Sequence, residues 1–245
     1  MLRCFIGYDP AETVAYHVLA HSILRHASVP VSVTPLKLSQ LPLTRARTPT
    51  QSTEFAFSRF LVPWLCNYEG EAIFLDCDML CRDDIAKMRP DRAAAVSVVK
   101  HDYEPKEGRK FLNNLQTAYP KKNWSSVMLF QNALCKELTP QTVNIQSGLY
   151  LHQFKWLPNE ASIGSIPSGW NHLVGEYATN PDAKIAHFTL GTPCFAQYAD
   201  CEFAQEWRDE QDRMLDFNKT GGFSTYLDIA ESVTMMTRGM ALTSS

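Results

Sequence analysis

The chain opens with a change of period. Arg3 to Gly7 is a short apolar run ended by the breaker cluster Gly7-Tyr8-Asp9-Pro10, which reads as a strand and its turn. From Glu12 to His26 apolar side chains recur at helical spacing, with Val14, Val18, Leu19, Leu24 and Ala27 expected to face the core. Val29 to Leu38 then alternates as a second strand, with Pro30 at its start. A strand, a helix and a strand in succession form the opening of a parallel α/β sheet.

Farther along, Leu41 to Thr53 is polar and rich in Thr, Pro and Arg, so a surface loop is expected. Glu54 to Leu65 resumes a helical pattern in which Phe55, Phe57, Phe60, Leu61 and Trp64 are available to pack, and Pro63 should distort or end it. Glu71 to Leu75 enters the sheet and ends in Asp76-Cys77-Asp78, and Ala93 to Val99 is a buried-strand candidate. His101 to Lys122 loosens into a charged stretch before a strand at Val127 to Phe130. Leu138 to Leu151 reads as helical despite Pro140 and Gly148. Brief strands are expected at Ile163 to Pro167 and Ile185 to Phe188, and an amphipathic helix at Phe203 to Phe217.

Composition narrows the function classes. With 245 residues, 45% of them apolar and 20% charged, the chain can bury a substantial core. Its 23 basic and 26 acidic residues leave a formal charge of −3, which lacks the basic footprint of a general nucleic-acid binder. Seven scattered cysteines suit reduced thiols in a reducing compartment better than a disulfide framework. The start lacks the features of a signal peptide, and no apolar run approaches the ~20 residues that span a bilayer. A cytoplasmic protein is the expectation, with peripheral membrane association left open.

The sharpest chemical feature is Ile73-Phe74-Leu75-Asp76-Cys77-Asp78-Met79. An apolar strand delivers two carboxylates at its C-terminal end, the edge where open α/β sheets bind ligands. Two acids so close repel in a low-dielectric cleft unless a cation offsets them, and hard oxygen ligands suit Mn²⁺ or Mg²⁺. Short acids at strand ends also cap turns and helices, a plainer use of the same residues.

The segments Phe55-Ala-Phe-Ser-Arg59-Phe-Leu61 and Glu71-Ala-Ile-Phe-Leu-Asp76-Cys-Asp78-Met-Leu80 resemble the family 8 glycosyltransferases of GT-A fold, the glycogenin and galactosyltransferase type. Phe5-Ile-Gly-Tyr-Asp9 resembles their first strand and nucleotide-binding turn, and His187-Phe-Thr-Leu-Gly191-Thr-Pro193 their late His-x-x-Gly-x-x-Lys-Pro-Trp signature. The matches run in order over roughly residues 3 to 195. The resemblance implies a Rossmann-like mixed sheet flanked by helices, in one GT-A-like domain over residues 1–245. About 1–100 would be the nucleotide-binding half, 101–200 the donor and acceptor half, and 201–245 a C-terminal helical extension.

It also implies roles residue by residue. Asp76, Asp78 and His187 would hold Mn²⁺ (or Mg²⁺), with Asp76, Asp78 and Arg59 as the catalytic set. A UDP-sugar donor would be met by Gly7, Tyr8, Asp9, Thr13, Arg59, Ser125, Asn171 and Gly191. The ion would act as a Lewis acid on the leaving diphosphate. The acceptor would be a saccharide, a glycolipid or a protein, with transfer by retention.

The chain also departs from the family. Trp124 and Ser126 stand in Asn123-Trp124-Ser125-Ser126-Val127 where relatives carry Asn and Gly. The Asp-Gln-Asp signature is absent, its region holding Leu151-His152-Gln153. Thr192-Pro193-Cys194-Phe195 lacks the family lysine and tryptophan, which marks a divergent branch. Two other readings stand beside the transferase: a non-catalytic sugar-nucleotide-binding protein, and a sugar nucleotidyltransferase. The second is disfavoured because Gly7-Tyr8-Asp9-Pro10 is neither glycine-rich nor basic.

Overall fold

The structure, a computed structural model, describes residues 1–45, 51, 53–102, 109–110, 114–115 and 120–216. Parts of the Leu41–Thr53 loop, most of the charged stretch before Lys122 and the tail after Gly221 lie outside the described residues. The chain divides into two units, Met1–Ala204 and Gln205–Ser245.

In the first unit β1 (Leu2–Tyr8) leads through a 3-10 turn at Pro10–Glu12 into α1 (Thr13–His26) and then β2 (Val31–Lys37). A 3-10 turn at Ser58–Leu61 and the short α2 (Val62–Leu65) precede β3 (Glu71–Leu75) and β4 (Met79–Cys81). Then come β5 (Val96–Val98), the antiparallel pair β6 (Arg109–Lys110) and β7 (Asn114–Leu115), and β8 (Val127–Gln131). After them follow α3 (Pro140–Ile145), α4 (Gly148–His152), β9 (Ile163–Ser165), β10 (His172–Leu173) and β11 (Ile185–His187). The second unit contributes α5 (Ala204–Leu215), which begins at the boundary.

Six strands form the main sheet in the order β2-β1-β3-β8-β5-β9. β1 lies parallel to β2 and β3, β8 runs antiparallel to β3 and β5, and β9 returns parallel to β5. Pro35 sits within β2 opposite Ile6, tolerated because β2 is the edge strand. A second sheet has the order β10-β11-β4. Ser22 of α1 ties the layers together: its hydroxyl donates to the Leu19 carbonyl and accepts from the Cys81 N–H of β4 at 3.1 Å.

The expected strands are present with small shifts in their ends, and the helices needed more correction. On α1 the buried stripe is Ala15, Val18, Leu19, Ser22 and Ile23, while Val14 and Leu24 are 42% and 55% exposed. Those two fall off the stripe that a 3.6-residue turn directs at the sheet. The Glu54–Leu65 pattern forms turns, a 3-10 segment and one turn of α-helix. Pro63 sits in that helix's first turn, where its missing N–H costs nothing, so it starts the helix rather than ending it. Leu138–Leu151 is two helices, because Thr139 caps one and Ser147 caps the next by accepting from Tyr150 N at 3.1 Å.

Gly7 shows how tightly the first strand is packed. A Cβ there would lie 2.3 Å from ring carbons of Phe55, which is itself buried. Gly7→Ala should therefore cost about 1–3 kcal/mol by overpacking. Urea unfolding would read this as a lower midpoint at constant slope, and an unchanged midpoint would refute the contact.

Candidate metal centre

β3 ends at Leu75, and the Asp76 N–H continues its ladder by donating to the Ser126 carbonyl at 3.0 Å. The chain then turns through Asp76-Cys77-Asp78 into β4, which pairs antiparallel with β11 so that Met79 faces His187. The Phe188 N–H donates to the Asp78 carbonyl at 2.9 Å and closes the junction. Backbone pairing alone thus brings residues more than a hundred positions apart into one cluster. Ligand atoms of Asp76, Asp78 and His187 all lie within 4.8 Å of one another. His187 Nε2 is 3.3 Å from Asp78 Oδ1 and 4.0 Å from Asp76 Oδ2.

A second layer of contacts fixes the imidazole. Asn171 Nδ2 donates to the Asn123 carbonyl at 3.3 Å, which leaves Asn171 Oδ1 to accept from His187 Nδ1 at 2.8 Å. That network makes Nδ1 the donor and turns Nε2 toward the two carboxylates. Two carboxylate oxygens and one imidazole nitrogen form a donor set that suits a divalent cation.

Arg59 is buried beside the turn. Its Nη1 lies 2.9 Å from Asp76 Oδ1 and 2.9 Å from the Ser125 carbonyl, while Nε donates to Phe55 O at 3.4 Å. The guanidinium also faces the rings of Phe74 and Phe55, at 5.0 and 5.4 Å from their centroids. Ser125 uses its carbonyl for Arg59 and its hydroxyl for His152 Nδ1, at 2.7 Å. Of the residues expected at the donor, Arg59 is joined directly to Asp76, Ser125 reaches the turn through Arg59, and Asn171 bonds His187.

The remaining donor candidates carry structural work of their own. Asp9 accepts from Ala11 N and Glu54 N, both at 3.0 Å, fixing the turn and the loop opposite it. Tyr8 and Thr13 share a 3.2 Å hydroxyl contact, and Thr13 also donates to Pro10 O. Gly7 gives room to Phe55. Gly191, at φ +154°, gives room to Tyr198, whose ring carbons a Cβ would approach to 2.1 Å. Lys184 is held at 2.8 Å by Asp83, so it does not stand in for a lysine after Gly191.

Glu12 is the residue that sequence reasoning passed over. It is 4% exposed, and the fully buried Cys77 thiol points to its carboxylate with S···O 3.7 Å. Burial pushes the Glu12 carboxyl up to about 8, Asp78, Asp9 and Asp76 add repulsion in that order, and the Cys77 thiol opposes the rise. Its only sequence signal is its place between the first turn and α1, which reads equally well as helix capping.

Two tests follow from this geometry. In EDTA, Arg59→Ala should lower stability by about 3 kcal/mol, because Asp76 loses its cation. Arg59→Lys should recover part of that, and equal denaturation midpoints for all three proteins would contradict the ion pair. The second test concerns His101, which shares a 2.9 Å hydrogen bond with Tyr177 OH. Burial lowers its pKa from 6.5 to about 3, with smaller contributions from His187 and His172. Folding preserves the neutral ring, so its contribution is complete above pH 6.5 and is lost as the pH falls toward 3. His101→Gln should flatten that part of the stability profile, and parallel profiles would contradict the assignment.

No family model matches the chain. Among solved structures it resembles the apo WbbM bifunctional glycosyltransferase, with TM-score 0.57 at 13% identity over 86% of this chain and 49% of that one. The apo glycosyltransferase GlyE of Streptococcus pneumoniae matches with TM-score 0.55 at 12% identity, over 86% of this chain and 60% of that one. Galactosyltransferase LgtC, solved with donor and acceptor sugar analogs, matches with TM-score 0.50 at 11% identity, over 86% and 96%. The chain thus spans about half the length of WbbM. What these proteins share with it is the fold, a Rossmann-like mixed sheet flanked by helices of GT-A type. In sequence, Protein CDI of Arabidopsis thaliana is 44% identical over 230 residues, covering 89% of this chain and 87% of that protein. The chain belongs to the family of Protein CDI.

Proposed function

We propose that the protein is a metal-dependent glycosyltransferase that moves a sugar from a nucleotide-diphosphate donor, a UDP-sugar, to an acceptor hydroxyl. The convergence of Asp76, Asp78 and His187 beside Arg59, on a GT-A-type fold, carries this reading. It would be a divergent relative of the family 8 enzymes, with transfer by retention. Gly7, Tyr8, Asp9, Thr13 and Gly191 would line the nucleotide and diphosphate through backbone and hydroxyl groups.

Asp76, Asp78 and His187 Nε2 would hold Mn²⁺, and the ion when bound supplies Lewis acidity to the diphosphate oxygens. Arg59 adds a fixed cation at the same turn, oriented by Asp76 and the Ser125 carbonyl, where the leaving group gathers charge. Asn171 holds the His187 Nδ1 proton, so the ring stays in one tautomer. In the transfer the acceptor oxygen bonds to the sugar C1 as the C1–O bond to the diphosphate breaks. The bonding electrons pass to the diphosphate oxygen, and that oxygen takes the acceptor's proton.

The absence of a lysine after Gly191 favours a second reading, a sugar-nucleotide-binding protein without turnover. Calorimetry and thermal shift separate the two. UDP should bind more tightly with Mn²⁺ than in EDTA, and equal affinity in both would sink the metal bridge. Asp78→Asn should lower metal-dependent donor turnover by about 100-fold while the protein stays folded by circular dichroism. Binding of the UDP-sugar with no turnover by either acceptor or water would favour the binding protein.

A further inference from the structure

A cavity of about 340 Å³ lies against the loop that carries Ser125, bordered by Pro120, Lys121, Gln153, Phe154, Lys155, Leu157, Asn159 and Glu160. Its size is at the lower end of small-molecule sites, about 300–1,000 Å³. Phe154 and Leu157 are its apolar lining, and Lys121, Gln153, Lys155, Asn159 and Glu160 offer hydrogen-bond donors and acceptors, two cations against one carboxylate. Such a surface suits a sugar ring, with its apolar face and its rim of hydroxyls. The backbone around it is held in an uncommon state: Lys121, Asn123 and Phe154 all have left-handed φ, at 63°, 60° and 59°. Non-glycine residues keep that conformation where their surroundings impose it, often at binding sites.

Two bonded chains join this wall to the metal centre. Asn123, two residues from Lys121, accepts from Asn171, which orients His187. Gln153 follows His152, whose Nδ1 meets the Ser125 hydroxyl, and Ser125 in turn binds Arg59. Lys121 to Ser125 is four peptide steps, so the wall begins no more than about 15 Å from Ser125. Trp124 lies between them, with the Lys121 ammonium 5.8 Å from its ring centroid. Charge at the rim is uneven: Lys121 is paired with Glu160, whereas the exposed Lys155 ammonium has no carboxylate partner among the described residues.

We propose that this cavity binds an acidic saccharide, with Lys155 meeting its carboxylate or phosphate, and that this saccharide is the acceptor. The acceptor role rests on the transferase reading, and the binding does not. Saturation-transfer NMR with glucuronate, glucose 6-phosphate and glucose tests the site on the full-length chain without metal or nucleotide. Both acidic sugars should bind about threefold to fivefold more tightly than glucose, the scale of one exposed charge pair. Lys155→Gln should erase that preference, and Lys155→Trp, which fills the rim without touching the core, should abolish saturation transfer to all three. No transfer in the wild type, equal affinities, or transfer undiminished in Lys155→Trp would each overturn the site. If only one acid binds, it identifies the source of the charge. The acceptor role is read separately, as UDP release from a UDP-sugar with Mn²⁺. The bound acid should accelerate release in the wild type but not in Lys155→Trp. Binding without acceleration would overturn that role alone, and failure of UDP to bind with Mn²⁺ would sink the transferase reading instead.

Discussion

The pairing of β4 with β11 is the constraint on which the site depends. It is a three-residue antiparallel ladder, extended by the Phe188 to Asp78 bond, and it alone brings His187 to the acidic turn. Every other contact elaborates on it. Asn171 reaches His187 because β10 pairs with β11 in the same small sheet. Arg59 reaches Asp76 from the Ser58–Leu61 turn, with its guanidinium beside the Phe74 ring of β3. Two carboxylates held so close in a partly buried setting repel one another, so the backbone is stabilising an arrangement that the side chains alone would disfavour. A cation reverses that balance, which links the occupancy of the centre to the stability of the small sheet.

Much of the main sheet was legible because its strands are apolar runs closed by breakers. Phe74 and Leu75 could hardly be elsewhere than inside, and the carboxylates following them marked the end of the strand. Helix positions were less legible. Val14 and Leu24 look like core residues by type, but the angle of α1 on the sheet is a tertiary fact and leaves them in solvent. Pro63, Pro140 and Gly148 were ambiguous for a related reason. A breaker within an apolar stretch marks a boundary without saying which side of it is helix.

The site divided along the same line. Asp76 and Asp78 were readable as acids closing an apolar strand, and His187 only through the family resemblance. Glu12 was not, because nothing local to it says that it faces Cys77 across 65 residues. Asn171 was readable as a polar residue in a turn, but its use as the clamp on His187 follows from strand pairing alone. Asp9, Gly7 and Gly191 carry a different lesson. Each has a packing or capping duty in the protein by itself, so their presence is explained before any nucleotide is considered.

Pro35 has a consequence beyond its own strand. An edge strand offers a row of unpaired backbone groups on which another chain can build, and β2 is seven residues long. A proline in that row withholds one donor and spoils the continuous ladder that a docking strand would need. The main sheet is thereby blunted at this end against edge-to-edge growth. A crowded solution of this protein gains protection from aggregation through a residue that contributes nothing to the chemistry of the metal centre.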